Sequence, residues 1–186
     1  MIRSALAGLV VLAFLVAPLH AGDWTNNGGN AARNGLSDEH GPTAADVLWS
    51  GGAPSSIIAW QPMVVGNRVF VVRQTGFPPG GEPNGSPVVC LDLDTGNVLW
   101  TRNVPYVAGD WTTWLLGARD GKVYACRSGN GATVPQVVYA LDQATGATVW
   151  TSADPIDPGP YDGVAFAPDG DLVVGNAASV MRIACE

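Results

Sequence analysis

A fourteen-residue stretch that returns after 50 residues constrains this chain more than any other feature. Val88-Val89-Cys90-Leu91-Asp92-Leu93-Asp94-Thr95-Gly96-Asn97-Val98-Leu99-Trp100-Thr101 aligns with Val138-Tyr139-Ala140-Leu141-Asp142-Gln143-Ala144-Thr145-Gly146-Ala147-Thr148-Val149-Trp150-Thr151, and seven of the fourteen positions are identical. A period in this range marks an array of supersecondary units that bury their apolar faces against one another. Each copy reads as an apolar strand, a turn and a second strand ending in Trp. The turn explains its own fixed residues. Asp can accept from backbone N–H groups two or three residues on, and Gly takes a positive φ at little cost. Asp92 with Gly96, and Asp142 with Gly146, are therefore expected to build turns rather than to do chemistry.

A second hairpin precedes each of these. Gly66-Asn67-Arg68-Val69-Phe70-Val71-Val72-Arg73 corresponds to Asp120-Gly121-Lys122-Val123-Tyr124-Ala125-Cys126-Arg127, each behind another apolar stretch. Strand, two-residue turn, strand is the expected form. Four strands thus recur in order, at about 60–101 and 112–151, and a third unit over 162–186 supplies Gly163–Ala167, Leu172–Gly175 and Val180–Ile183. At the other end Val47-Leu48-Trp49-Ser50 matches the closing strand Val98-Leu99-Trp100-Thr101. The expected fold is all-β: four-stranded antiparallel propeller blades, two of them whole, with an N-terminal outer strand and most of a third. A propeller of four to eight blades needs more than this.

Composition agrees with short strands and tight turns, since 24 Gly and 14 Pro accompany only 13% charged residues. Ahead of the blades, Arg3 precedes an apolar run from Ala5 to Ala17 that is short for a membrane span, and Ala21 is the small residue that a signal peptidase accepts. Residues 1–21 are expected to be a cleaved signal peptide, 22–46 an extended lead-in and 47–186 the partial propeller. Removal of Arg3 would leave 8 basic residues against 16 acidic ones, a balance that disfavours nucleic acid and anionic lipid as partners. With no span remaining, a secreted or periplasmic protein is expected.

The chemistry-bearing residues are few. Cys90, Cys126 and Cys185 stand in no metal-ligand spacing. Their odd count leaves at least one free thiol in an oxidising compartment, and a Cys90–Cys126 disulfide stays open. The two histidines, His20 and His40, allow no His-based triad. Asp110, Asp120 and Asp162 are expected to be solvated carboxylates in turns or near strand starts. No catalytic, cofactor or metal site is assigned. The enlarged loops 76–85 and 128–135 between second and third strands are the candidate binding rim, and Asp154–Pro160 reads as a stiff interblade linker.

The hairpins resemble the pyrroloquinoline-quinone-type (PQQ-like) repeat, Ala-Leu-Asp-x-x-Thr-Gly-x-x-x-Trp. Residues 140–150 fit that form fully, and the other copy departs in having Cys90 for Ala. The resemblance covers about 23–183. It implies that Trp49, Trp100 and Trp150 pack across to neighbouring blades. The family holds non-catalytic exported scaffolds, including the outer-membrane assembly lipoprotein, and quinoprotein dehydrogenases that bind PQQ beside calcium on the propeller axis. This chain has no adjacent Cys-Cys pair of the enzymes. The expected function is an exported non-catalytic scaffold that binds a protein or cell-surface partner, with self-association as a way to protect open blade edges. The alternatives are a fragment of a PQQ-dependent oxidoreductase and a calcium-dependent six-bladed hydrolase, the latter from Gly163-Val164-Ala165-Phe166-Ala167-Pro168-Asp169-Gly170, which resembles a lactonase strand.

Overall fold

A computed structural model describes residues 22–26, 28–30, 33–36, 44, 46–51, 56–75, 85–129, 131–158, 163–175 and 179–185. The expected signal peptide, both histidines, Asp162 and nearly all of loop 76–85 lie outside these residues. The described residues form three antiparallel sheets and no helix. The first runs in the order β1 (Ser56–Val65), β2 (Arg68–Thr75), β3 (Val88–Asp92), β4 (Val98–Arg102). The second repeats it with β5 (Trp114–Arg119), β6 (Lys122–Cys126), β7 (Tyr139–Asp142) and β8 (Thr148–Thr151). The third holds β9 (Gly163–Phe166), β10 (Leu172–Gly175) and β11 (Val180–Ile183), with β11 at its edge. The first strands β1, β5 and β9 converge, as the inner strands of propeller blades do. The first blade begins at Ser56, four residues ahead of its expected start.

Turn chemistry fixes the hairpins. Asp92 Oδ1 accepts from Thr95 N at 2.9 Å and from the Thr95 hydroxyl at 2.8 Å. Asp142 repeats this with Thr145 at 2.8 Å for both bonds. These bonds, the threonine hydroxyl first, hold both carboxyls below the usual range. In the β5–β6 turn Asp120 and Gly121 both take positive φ, 49° and 73°, the conformation whose twist matches a hairpin. A bulge recurs in both Trp hairpins, between Cys90 and Leu91 in one and Ala140 and Leu141 in the other. The extra residue re-aims the Trp that follows it.

Side chains alternate across each strand, and the two faces go to different neighbours. On β6, Val123 and Ala125 join Phe70, Val72 and Cys90 in the core between the first and second blades. Tyr124 and Cys126 join Phe166, Leu172 and Val174 in the core between the second and third. Trp100 of β4 crosses to the second blade, where its Nε1 donates to Gln143 O at 3.0 Å. Gly146 lies under its ring, and a Cβ there would stand 2.6 Å from the indole. Trp49 makes the same contact one blade earlier, donating to Leu93 O at 2.7 Å above Gly96. Gly96 and Gly146 are thus required for their φ of 71° and 72° and again for the space they leave.

The third sheet keeps the register. Leu172 pairs with Ile183 as Val69 pairs with Leu91 and Val123 with Leu141. Ala184 therefore occupies the place of the hairpin Asp. All three cysteines are free and buried. The Cys90–Cys126 disulfide left open by the sequence does not form, because the two thiols belong to different interblade cores. Burial pushes both up from 9.0 to about 11.

Candidate functional site at the loop end

The two ends of the blades differ. One end carries the short turns, studded with charge: Asp92, Asp94, Asp120, Lys122, Asp142, Asp169 and Asp171. The other carries the interblade links and the long loops between second and third strands. From Asn103 to Gly109 and from Ser128 to Val137 there is no charged residue.

Asp110 and Arg127 hold this end together, and here the structure corrects the sequence reading. Asp110 is not a solvated turn carboxylate. Its side chain is fully buried, and that of Arg127 is 1% exposed. Arg127 Nε donates to Asp110 Oδ2 and Nη2 to Oδ1, both at 3.0 Å. Its Nη1 reaches the Thr113 hydroxyl at 3.4 Å, and the guanidinium lies 5.3 Å from the centre of the Tyr106 ring. Asp110 Oδ2 also accepts from Val107 N at 2.8 Å. A buried bidentate pair of this kind costs desolvation to form, and removing either partner strands the other charge, at about 3–5 kcal/mol. Its effect is to lock the β4–β5 link to the end of β6.

The β6–β7 loop is then stitched to that link and to the next. Thr133 donates to Gly109 O through its N–H at 2.7 Å and through its hydroxyl at 3.0 Å. The Ser128 hydroxyl donates to Ile156 O at 2.8 Å, and Gln136 and Ile156 exchange both backbone bonds. Glycines let the loop close on two tryptophans: a Cβ at Gly131 would meet Trp111 at 2.7 Å, and one at Gly129 would meet Trp114 at 2.8 Å. The expected linker Asp154–Pro160 is thereby, at Ile156, part of the loop end. What stands out to solvent from the β4–β5 link and the β6–β7 loop is apolar and uncharged, Val107 being 49% exposed beside half-buried Tyr106 and exposed Pro105, Thr133 and Pro135, while the next link exposes Asp154 and Asp157. The available sequence signal was the recurring arginine, Arg73 and Arg127; nothing marked Asp110 as its partner.

Asp120, by contrast, sits where the sequence placed it, in an exposed turn 3.2 Å from Arg119 Nε. The inner strands carry the lead-in. Trp24 and Val64 exchange backbone bonds at 2.8 and 2.9 Å, and Ala118 N donates to Thr25 O at 2.8 Å, so residues 24–25 bridge β1 and β5 on the axis side. Quinoproteins of the resembling family place their quinone and calcium on that axis. Among the described residues no grouping of three His, Cys, Asp or Glu could hold a metal. Nor is any helix among them long and apolar enough to cross a membrane.

Comparison with known proteins follows the blades. A family model described as outer membrane protein assembly factor BamB (PQQ_2) matches residues 56–151, the whole of the first two blades. Among solved structures, the crystal structure of BamB from Moraxella catarrhalis aligns at 15% identity and a TM-score of 0.39, over 63% of this chain and 30% of that one. The chain thus spans under a third of that protein's length. No curated protein matches.

Proposed function

This chain belongs to the PQQ-repeat propeller family of the outer membrane protein assembly factor BamB, and we propose from that premise that it is an exported, non-catalytic scaffold whose loop end binds a protein partner of the cell envelope. The observation that carries the reading is the charge-free rim around Val107 and Thr133, held rigid from beneath by Asp110 and Arg127. Protein interfaces are depleted of charge at their centre and enriched in aromatic residues, and a rim fixed in advance loses less entropy on binding. The acidic turn end has the opposite character. Export rests on the apolar run 5–17 and on Ala21, and N-terminal sequencing of the mature protein should begin at Gly22; an intact Met1 would overturn that part.

Capture from envelope fractions tests the rim. A partner held by the wild-type protein should be lost with Val107→Asp combined with Pro135→Asp, both with exposed side chains, and retained with Asp94→Lys at the turn end. Equal capture by the rim variant rejects the loop end as the binding surface. The cofactor-free reading has its own check: incubation with pyrroloquinoline quinone and Ca²⁺ followed by gel filtration should leave no quinone absorbance with the protein, and retained absorbance would restore the oxidoreductase alternative.

A further inference from the structure

We propose, resting on the reading of the loop end as a protein-binding surface, that Arg73 is a carboxylate-binding site there and that its ligand is an aspartate or glutamate side chain of the partner. The first two blades place an arginine at the same point of their second strand. Arg68 stands opposite Asp92 as Lys122 stands opposite Asp142, so Arg73 and Arg127, each five residues further along, are equivalent. Each ends an apolar row on the same face of its blade: Val69 and Val71 in the first, Val123 and Ala125 in the second. At Arg127 the guanidinium is occupied, Nε and Nη2 both donating to Asp110. At Arg73 the same Nε is buried and has no hydrogen-bond partner, and no ion pair among the described residues involves this side chain. Arg73 is half-buried rather than sealed, so a ligand can reach it from solvent.

The missing partner can be traced in the sequence. Asp110 lies four residues ahead of Trp114, which pairs with Cys126, the residue before Arg127. Ala59 pairs in the same way with Val72, the residue before Arg73, and four residues ahead of Ala59 the sequence has Ser55 in place of an acid. No acidic residue occurs from Val47 to Val65, nor from Ser86 to Leu91 on the other side of β2. Arg68 Nε lacks a hydrogen-bond partner as well. It lies at the turn end, however, opposite Asp92, and its charge helps to hold the Asp142 carboxyl down. Arg73 has no such neighbour.

A guanidinium whose Nε is withdrawn from water has already lost part of its hydration without a bond in return. A carboxylate is the group that matches the Nε and Nη2 fork with two charge-assisted bonds, as Asp110 does for Arg127. Supplied by a docking protein, it would fix the orientation of the partner on the uncharged rim more than it would add to affinity.

Two variants compare the arginines with no partner present. The denaturant midpoint should fall in Arg127→Gln, which strands Asp110, and should stay at the wild-type value in Arg73→Gln; a comparable fall in both would mean that Arg73 already has an internal acid, and overturns the proposal. The ligand chemistry is read by titrating the protein with acetyl-glutamyl amide, or with acetyl-glutaminyl amide as its neutral counterpart, at constant ionic strength, while following the arginine Nε–H resonances. The Arg73 resonance, identified by its loss in Arg73→Gln, should shift saturably with the glutamyl compound alone, and the Arg127 resonance with neither. No shift at Arg73, or equal shifts with both compounds, overturns the proposal. Capture from envelope fractions should be lost in Arg73→Gln. Capture kept by Arg73→Gln but lost with Val107→Asp and Pro135→Asp overturns the carboxylate site and leaves the loop end as the binding surface, whereas capture kept by every variant rejects both.

Discussion

The junction between the first and second blades and the junction between the second and third are built from the same repeat, yet they end differently at the tryptophan. Trp100 has a carbonyl to donate to and a glycine beneath its ring, both supplied by the turn of the next blade. Trp150 packs against Tyr124 with ring centres 5.7 Å apart, but its Nε1 has no acceptor. The lesson is that the repeat's Trp and Gly form a pair across blades, not within one. Asp142 shapes the turn, the turn presents Gln143 O and Gly146, and these receive a tryptophan from the preceding blade. Trp150 meets only the apolar part of that arrangement, because Ala184 stands where the Asp would be.

Truncation of the two tryptophans should separate the junctions most widely. Trp100→Ala removes a half-buried indole and its hydrogen bond, and should cost about 3–5 kcal/mol in denaturant unfolding. Trp150→Ala loses no such bond and should cost less by about 1 kcal/mol or more. Equal losses would mean that the turn contributes nothing beyond apolar contact. A smaller difference is expected from the glycine side. Gly146→Ala combines a positive φ with a Cβ 2.6 Å from the Trp100 ring, for about 2–4 kcal/mol in all. Gly121→Ala has nearly the same φ and nothing within 4 Å, so only the backbone strain of about 1–2 kcal/mol remains. If the two cost the same, Trp100 does not rest on Gly146 in solution.

What could be seen in the sequence follows from this division. The turn is a local device: Asp, Thr and Gly sit within five residues of one another, so their spacing survives in both whole blades and names the hairpin. Trp100 and Trp150 were visible for the same reason, as fixed ends of that hairpin. Asp110 was not. It lies in an interblade link whose counterpart after β8 does not repeat its sequence, and its partner Arg127 follows the end of a strand seventeen residues on. A solvated carboxylate in a loop and a buried one use the same letter; only the third dimension brings the guanidinium and Tyr106 to it. The crossing of residues 24–25 over β1 and β5 was hidden more deeply, since it is made by backbone atoms that any sequence possesses.

The smallest effect concerns what the two junctions share. Each encloses a thiol, Cys90 in the first and Cys126 in the second, and burial raises both from 9.0 to about 11. Well below pH 9 the thiols are protonated whether the chain is folded or not, and their ionisation leaves stability unchanged. As pH climbs from 9 toward 11 the unfolded chain gives up these protons while the folded chain keeps them, so unfolding is favoured and stability falls. Cys90→Ala and Cys126→Ala should each flatten that alkaline slope, by similar amounts, in denaturant midpoints followed between pH 8 and pH 11. A slope that only one of them flattens would show that one junction admits water to its thiol.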